Sequence, residues 1–224
     1  MKRNMLSWVM LVLLMVAAAQ SQGFATLITD VTIESVSSEF SNATFRLASA
    51  EKLLGSGLDI NGSGTHSTVW AGTFTQGDIG TMWANRSNDS QIYIIFDLGQ
   101  VYDNLHSVKI WNFNRPTCTY SQGVGNIDIK VSATSLPFGD AGWMTDSSVT
   151  LTEAPGDDVT PFGDTFLIGS ENVRYVLLDI KTKMNGDPAA YLIGLSEVAF
   201  YVPEPTTMAL FGVGLLGLIR RKKA

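Results

Sequence analysis

Five side chains in loop-like segments of the 224-residue chain have the chemistry of a sugar-binding site. Carbohydrate recognition usually pairs an aromatic ring, which packs on the apolar face of a sugar, with polar groups that hydrogen-bond its hydroxyls. Two tryptophans in glycine-flanked segments, one tyrosine, one amide and one guanidinium have these properties. The candidate ligand-binding residues are therefore Trp83, Asn85, Arg86, Tyr120 and Trp143.

Motifs for catalysis are absent from the sequence. It contains no G-x-S-x-G, no H-E-x-x-H, no phosphate-binding loop, two histidines and one cysteine, Cys118. A single cysteine excludes an internal disulfide and a multi-cysteine metal site. Glycoside hydrolysis would need paired carboxylates converging on one cleft, for example Asp157, Asp158 and Asp164. We expect the acidic segment 145–165 to be a solvated loop and the protein not to be an enzyme.

The charge balance argues against nucleic-acid binding. Residues 20–202 hold nine basic and 20 acidic side chains, and so acidic a domain repels phosphate backbones.

The N-terminal segment 1–19 has the pattern of a secretory signal peptide. Lys2 and Arg3 precede an apolar run over 5–18, and small residues at 17 and 19 suit cleavage before Gln20. We predict processing by signal peptidase. An uncleaved anchor is the alternative, although the run is short for a spanning helix.

The C-terminal segment 203–224 combines a Pro-Glu-Pro motif, an apolar run predicted to be a helix over 206–219, and a basic tail over 220–224. The motif is Pro203, Glu204 and Pro205, and the basic residues are Arg220, Arg221, Lys222 and Lys223. Fourteen residues make about 21 Å of helix against a hydrocarbon core of about 30 Å, which is marginal for a permanent anchor. Basic residues favour the cytoplasmic side, which places the rest of the chain outside the inner membrane.

This tripartite tail resembles the PEP-CTERM sorting signal of Gram-negative bacteria. The resemblance implies recognition by an exosortase near the motif and association with exopolysaccharide or biofilm-matrix systems. We therefore expect transient tethering to the inner membrane by the C-terminal helix, followed by sorting to the outer surface or extracellular matrix. An ordinary tail anchor with an incidental Pro-Glu-Pro linker is the alternative.

The central domain, residues 20–202, shows a periodicity of two, with β-branched and aromatic runs separated by turn residues. The clearest predicted strands cover 27–36, 91–98, 107–113, 126–133, 164–168, 173–182 and 194–201. We predict an all-β sandwich in which Trp70 and Trp111, inside strand-like segments, belong to the core. The stretch 54–89 is predicted to form loops interrupted by short strands.

Short motifs over 36–201 resemble, in order, those of the discoidin or coagulation-factor type C domain of the galactose-binding-like superfamily. They are Asp59 with Thr68-Val69-Trp70, the strand ending Asp97-Leu98-Gly99, Val108-Lys109-Ile110-Trp111-Asn112, Ile129-Lys130-Val131-Ser132, Val173-Arg174-Tyr175-Val176 and Leu195-Ser196-Glu197-Val198. The resemblance implies a jelly-roll-like sandwich of two antiparallel sheets.

The resemblance also implies a structural calcium ion. By motif position its ligands would be Asp59, Thr68 and Glu197, with Asn61 as a further oxygen ligand and backbone carbonyls over 55–57. Two alternatives remain open: Asp59 and Asn61 stabilise a turn, and Glu197 is the buried partner of an arginine, Arg174 or Arg46.

The combined prediction is an exported, exosortase-sorted bacterial protein whose non-catalytic sandwich binds carbohydrate or exopolysaccharide. The competing hypothesis is a structural or adhesive surface protein that binds protein partners and has no sugar site.

Overall fold

The computed structural model describes residues 25–40, 49–55, 66–67, 81–85, 89–116, 119–187 and 192–204. Leu27–Val202 forms one compact unit, and Met1–Thr26 with Pro203–Ala224 is a separate one. The predicted signal peptide 1–19, the apolar run 206–219 and the basic tail lie outside the described residues. Within the described ranges, no helix has the length and apolar character needed to cross a bilayer.

The described chain is an all-β sandwich of two antiparallel sheets, as predicted. The first sheet contains β1 (Ala25–Leu27), β3 (Trp83–Ala84), β5 (Ser107–Asn112), β8 (Asp164–Leu167) and β10 (Gly194–Pro203), in the order β1-β10-β5-β8 with β3 also paired to β10. The second contains β2 (Thr32–Val36), β4 (Ile92–Tyr102), β6 (Asn126–Ser132), β7 (Met144–Thr150) and β9 (Val173–Ile180), in the order β2-β4-β9-β6-β7. A 3₁₀ helix (Ala50–Leu53) and one helical turn, α1 (Thr119–Gln122), complete the described elements.

Side-chain alternation explains how the strands pack. In β6, Ile127, Ile129 and Val131 are buried, while the residues between them are partly exposed, as expected for a strand with one face on the core. β9 lies between β4 and β6 and is buried along most of its length, Arg174 excepted. Its residues therefore contribute both to the core between the sheets and to a second apolar cluster, which contains Tyr175 and Leu177.

Two segments differ from the prediction, one predicted as a single strand and one predicted as a loop. Segment 27–36 is not one strand, because the Ile28 amide donates to the Phe200 carbonyl in the first sheet, whereas Ile33 pairs with Phe96 in the second. Segment 145–165 is not all loop, because β7 pairs with β6 along its length. Serine and threonine dominate β7, and hydroxyl-rich edge strands have little apolar alternation to reveal them.

The two ends of the sandwich follow from the strand register. Asn112, at the end of β5, pairs with Leu195 at the start of β10, and Ser107 pairs with Tyr201 near its finish. We call the end at Asn112 the cleft end and the end at Tyr201 the tail end.

Candidate functional site

A cleft of about 340 Å³ opens at the cleft end, between the last residue of β5 and the segment that joins β7 to β8. Nine residues line it: Asn112, Thr152, Glu153, Pro155, Thr160, Pro161, Phe162, Gly163 and Asp164. Eight of them belong to segment 151–164, which we call the cleft loop. The shape of the cleft therefore depends on how firmly this loop is held.

Asn112 fixes the first part of the cleft loop. Its side-chain amide donates to the carbonyls of Val124 (2.8 Å) and Thr152 (3.0 Å), and its oxygen accepts the amides of Phe113 and Val124, both at 2.8 Å. The residue is buried. One side chain thus satisfies four backbone groups where β5, the start of β6 and the cleft loop meet.

Asn114 fixes the middle of the same loop. Its side chain donates to the carbonyls of Asp157 and His66, both at 2.8 Å, and accepts the Gly156 amide at 2.8 Å. Its own amide donates to the Ser196 hydroxyl. The loop is therefore bonded to the first sheet by two buried asparagines.

Two aspartates brace the loop from within. Asp157 accepts the amides of Val159 and Thr160 and the Thr160 hydroxyl, and these bonds lower the pKa of its carboxyl. Asp164 accepts the Thr152 amide at 2.7 Å and the Thr152 hydroxyl at 2.8 Å.

Gly163 brings the loop backbone against Trp111. A Cβ atom at this position would lie 2.9 Å from the indole Cδ1 and Nε1 atoms and 3.1 Å from Cε of Lys109, and its φ of 109° also favours glycine. The Lys109 ammonium lies 4.5 Å from the Trp111 ring centroid, and burial lowers the pKa of Lys109. The end of the loop is thus packed on an aromatic side chain.

The groups in the cleft suit binding of a hydroxyl-rich molecule. The half-buried ring of Phe162 supplies an apolar surface, and the carboxylates of Glu153 and Asp164 are hydrogen-bond acceptors. Glu153 also accepts the Thr119 hydroxyl at 2.7 Å. Of the aspartates Asp157, Asp158 and Asp164, only Asp164 lines this cleft.

Three of the five predicted ligand-binding residues, Trp83, Asn85 and Trp143, do not line this cleft. Trp83 and Asn85 are fully buried: the Trp83 indole donates to the Ser38 carbonyl at 3.1 Å, and the Asn85 oxygen accepts the Ile193 amide at 2.7 Å. Trp83 has no exposed ring face for a sugar, because β3 packs it into the core between the sheets. Asn85 instead holds the segment that leads into β10.

Trp143 packs in the second apolar cluster, with Ile95, Tyr175 and Leu177, and donates its indole N–H to the Pro137 carbonyl at 2.9 Å. It is 9% exposed and stabilises the segment after β6 rather than lining the cleft. Arg86 and the Tyr120 side chain lie outside the described residues. Trp111 is buried, as predicted.

Part of the predicted calcium site is described. Glu197 is buried, its Oε1 accepts the Gly55 amide, and its Oε2 lies 3.4 Å from Nε2 of His66. A carboxylate beside the turn at Gly55 has the oxygen donors that calcium prefers. Asp59, Asn61 and Thr68 lie outside the described residues. In the part of the chain that is described, no three His, Cys, Asp or Glu side chains come together to hold a metal ion, so calcium stays a prediction.

Arg174 is not the partner of Glu197. It forms a bidentate ion pair with Asp97, with Nε–Oδ1 and Nη2–Oδ2 distances of 2.9 and 3.0 Å. This bond lowers the pKa of Asp97. Arg46, the other arginine considered, lies outside the described residues.

Residues 202–223 match the family described as the PEP-CTERM protein-sorting motif. The chain carries a PEP-CTERM sorting signal. It is therefore an exported protein that is sorted by an exosortase, and Pro203, Glu204 and Pro205 lie within the matched residues. No curated protein matches the chain in sequence.

Solved structures resemble the sandwich that precedes the sorting signal. CBM32-3 from a family 31 glycoside hydrolase of Clostridium perfringens is 13% identical, covers 82% of this chain and 97% of its own, and has a TM-score of 0.51. The C-terminal domain of a chitobiase from Bacteroides fragilis is 14% identical, covers 81% of this chain and 100% of its own, and has a TM-score of 0.52. An F5/8 type C domain from Bacteroides fragilis is 14% identical, covers 82% of this chain and 98% of its own, and has a TM-score of 0.49.

These neighbours are CBM32 and F5/8 type C (discoidin-like) domains. At this identity the likeness shows the fold alone.

The sequence reasoning missed the cleft because its key residues look ordinary. Asn112 and Asn114 flank a buried phenylalanine at the end of a strand, where asparagine usually signals a turn. The useful signal was the polar residues that end β5 together with the prolines at 155 and 161.

Proposed function

We propose that the exported protein is a surface or matrix component whose sandwich binds polysaccharide in the cleft, without catalysis. The observation that carries the proposal is the bracing of the cleft loop by Asn112, Asn114, Asp157 and Asp164. A loop that is held by several hydrogen bonds before a ligand arrives loses little conformational freedom on binding, which favours affinity.

The charge of the cleft favours a neutral glycan over an acidic one. Glu153 and Asp164 line it, and no lysine or arginine is among its lining residues. Carboxylates accept hydrogen bonds from sugar hydroxyls but repel the carboxylates of uronic acids. The acidic balance of residues 20–202 acts in the same direction.

We further propose that the segment 206–219 tethers the protein to the inner membrane until the exosortase acts. A basic tail beyond an apolar run favours this orientation. The calcium ion implied for Asp59, Asn61, Thr68 and Glu197 would stabilise loops, and it remains part of the proposal.

The test is retention of a chain ending at Glu204, which keeps every described element, on neutral and uronate-rich polysaccharide from a matrix-producing bacterium. We expect binding to the neutral polymer, and we expect Phe162→Ala to weaken it at least about tenfold because the sugar loses its apolar contact. Val159→Ala is the matched control, since Val159 is on the same loop but outside the lining.

Each outcome has a distinct meaning. Equal retention of the Phe162 and Val159 variants would remove the cleft from the proposal, and no retention at all would favour the adhesive protein without a sugar site. Binding that a chelator abolishes supports the calcium ion, whereas binding that survives chelation removes it.

A further inference from the structure

The exposed apolar side chains of the sandwich are concentrated at the tail end. Five large hydrophobic residues are exposed among the described residues, and four of them, Leu27, Val101, Met144 and Leu167, belong to strand termini at that end. The fifth, Val159, is on the cleft loop.

The register places these four residues. Leu167 pairs with Ser107, which in turn pairs with Tyr201. Val101 precedes Tyr102, from which residues 103–106 lead to Ser107.

Hydrogen bonds place the other two. Leu27 is followed by Ile28, whose amide donates to the Phe200 carbonyl. Met144 pairs with Val131 at the end of β6, and Asp146, two residues further, accepts the amides of Gly169 and Ser170, just beyond β8.

The sorting signal begins inside the sheet at this same end. β10 extends to Pro203, whereas the sorting signal starts at residue 202. Val202 is partly buried and packs on the main core. Between Pro203 and the apolar run that begins at Thr206 there are two residues, Glu204 and Pro205, which bridge about 10 Å at most.

We infer that, while the tail is inserted in the membrane, the tail end of the sandwich rests on the lipid surface, with Leu27, Val101 and Leu167 in the interface. So short a connection keeps the tail end of the sandwich close to the lipid, and exposed apolar side chains gain by leaving water there. The inference rests on the membrane tethering within the proposed function. It is independent of sugar binding.

The orientation has a consequence for the cleft. β10 has ten residues from Gly194 to Pro203, and at about 3.3 Å per residue the cleft end lies about 30 Å from the lipid. The cleft therefore faces away from the membrane and is accessible before the exosortase acts.

The charge of the tail end determines which lipid headgroups this surface can contact closely. Asp30, Asp103 and Glu171 are exposed there, so anionic headgroups repel this surface and zwitterionic ones do not. Contact is consequently closer on phosphatidylcholine than on an equal mixture of phosphatidylcholine and phosphatidylglycerol.

The test uses the full chain after removal of the signal peptide, Gln20 to Ala224, with Cys118→Ser and one reporter cysteine, Leu167→Cys or Val159→Cys. These two positions are 69% and 78% exposed and lie at opposite ends, so they form a matched pair. Each labelled protein is mixed with phosphatidylcholine vesicles that carry a headgroup quencher, and co-flotation is measured in parallel. The same chain ending at Glu204, Gln20 to Glu204, is the flotation control.

We expect co-flotation of the full chain and several-fold stronger quenching at Leu167 than at Val159. Co-flotation with equal quenching at the two positions would overturn the inference and leave the tether intact. Quenching at Leu167 that needs added exosortase would also overturn it, because the surface would then bind protein. Failure of the full chain to float more than the control would overturn the tether and the inference together, without affecting the cleft.

Discussion

The ion pair between Asp97 and Arg174 joins neighbouring strands, β4 and β9. Asp97 also accepts the Gly99 amide at 2.8 Å, where the chain has a φ of 82°. The aspartate of the Asp-Leu-Gly motif therefore has a structural role. It fixes the backbone at Gly99, inside β4 where the register with β9 shifts, and it holds the arginine of the neighbouring strand.

Asp97→Asn tests this role through pH. The hydrogen bond from Arg174 lowers the pKa of Asp97 in the folded state, so its stabilisation is present above the unfolded pKa and is lost as the pH falls through the folded pKa. We expect the variant to be less stable than the parent at about pH 7 and the difference to shrink at about pH 3. Urea unfolding at the two pH values measures it, and a difference that is independent of pH would contradict the assignment.

Two buried tryptophans show which features can be predicted from the sequence and which cannot. The burial of Trp111 was predictable, because it lies within an alternating strand. The burial of Trp83 was not, because β3 has two residues and pairs with β10, more than 100 positions away in the chain. No local pattern reveals a partner that distant.

At the scale of elements, the cleft loop is the feature on which the proposed polysaccharide binding depends. Two asparagines bond it to the first sheet, and Gly163 packs its end on Trp111. The long strands were predictable from their alternation, but β7 and the path of this loop were not, since both are stabilised by polar side chains from other elements.

Gly163→Ala tests the packing of the loop. A methyl group there would collide with the indole ring and would also strain a positive φ. Gly139→Ala is the matched control, because its φ is 83° but nothing lies within 4 Å of the added atom. We expect both to lose about 1 kcal/mol from backbone strain, and Gly163→Ala to lose at least about 1 kcal/mol more from overpacking.

The measurement is chemical denaturation of both variants together with polysaccharide retention. Gly163→Ala alone is expected to weaken binding. Equal losses of stability and equal binding in the two variants would mean that the contact with Trp111 does not position the loop.

At the scale of the whole molecule, the second sheet has apolar clusters on both faces. The main core lies between the sheets, and the second cluster contains Ile95, Trp143 and Tyr175, with Tyr93 stacked on Phe138 at 4.2 Å. Because β4 and β9 contribute to both, we expect the sandwich to unfold in one cooperative transition.

The contribution of Trp143 to fluorescence is the difference between the urea unfolding curves of the parent and of Trp143→Phe. We expect this contribution to change at the same urea concentration as the circular dichroism signal of the parent. A fluorescence transition at clearly lower urea would show that the outer cluster opens separately.

The position of β10 determines how the protein responds to force. β10 is hydrogen-bonded to β5 on one side and to β1 and β3 on the other. A load applied between a polymer held at the cleft end and an attachment at Pro203 pulls along this strand. The hydrogen bonds between β10 and β5 then share the load in shear instead of opening one after another, so the strand that leads into the sorting signal is also the one that resists detachment.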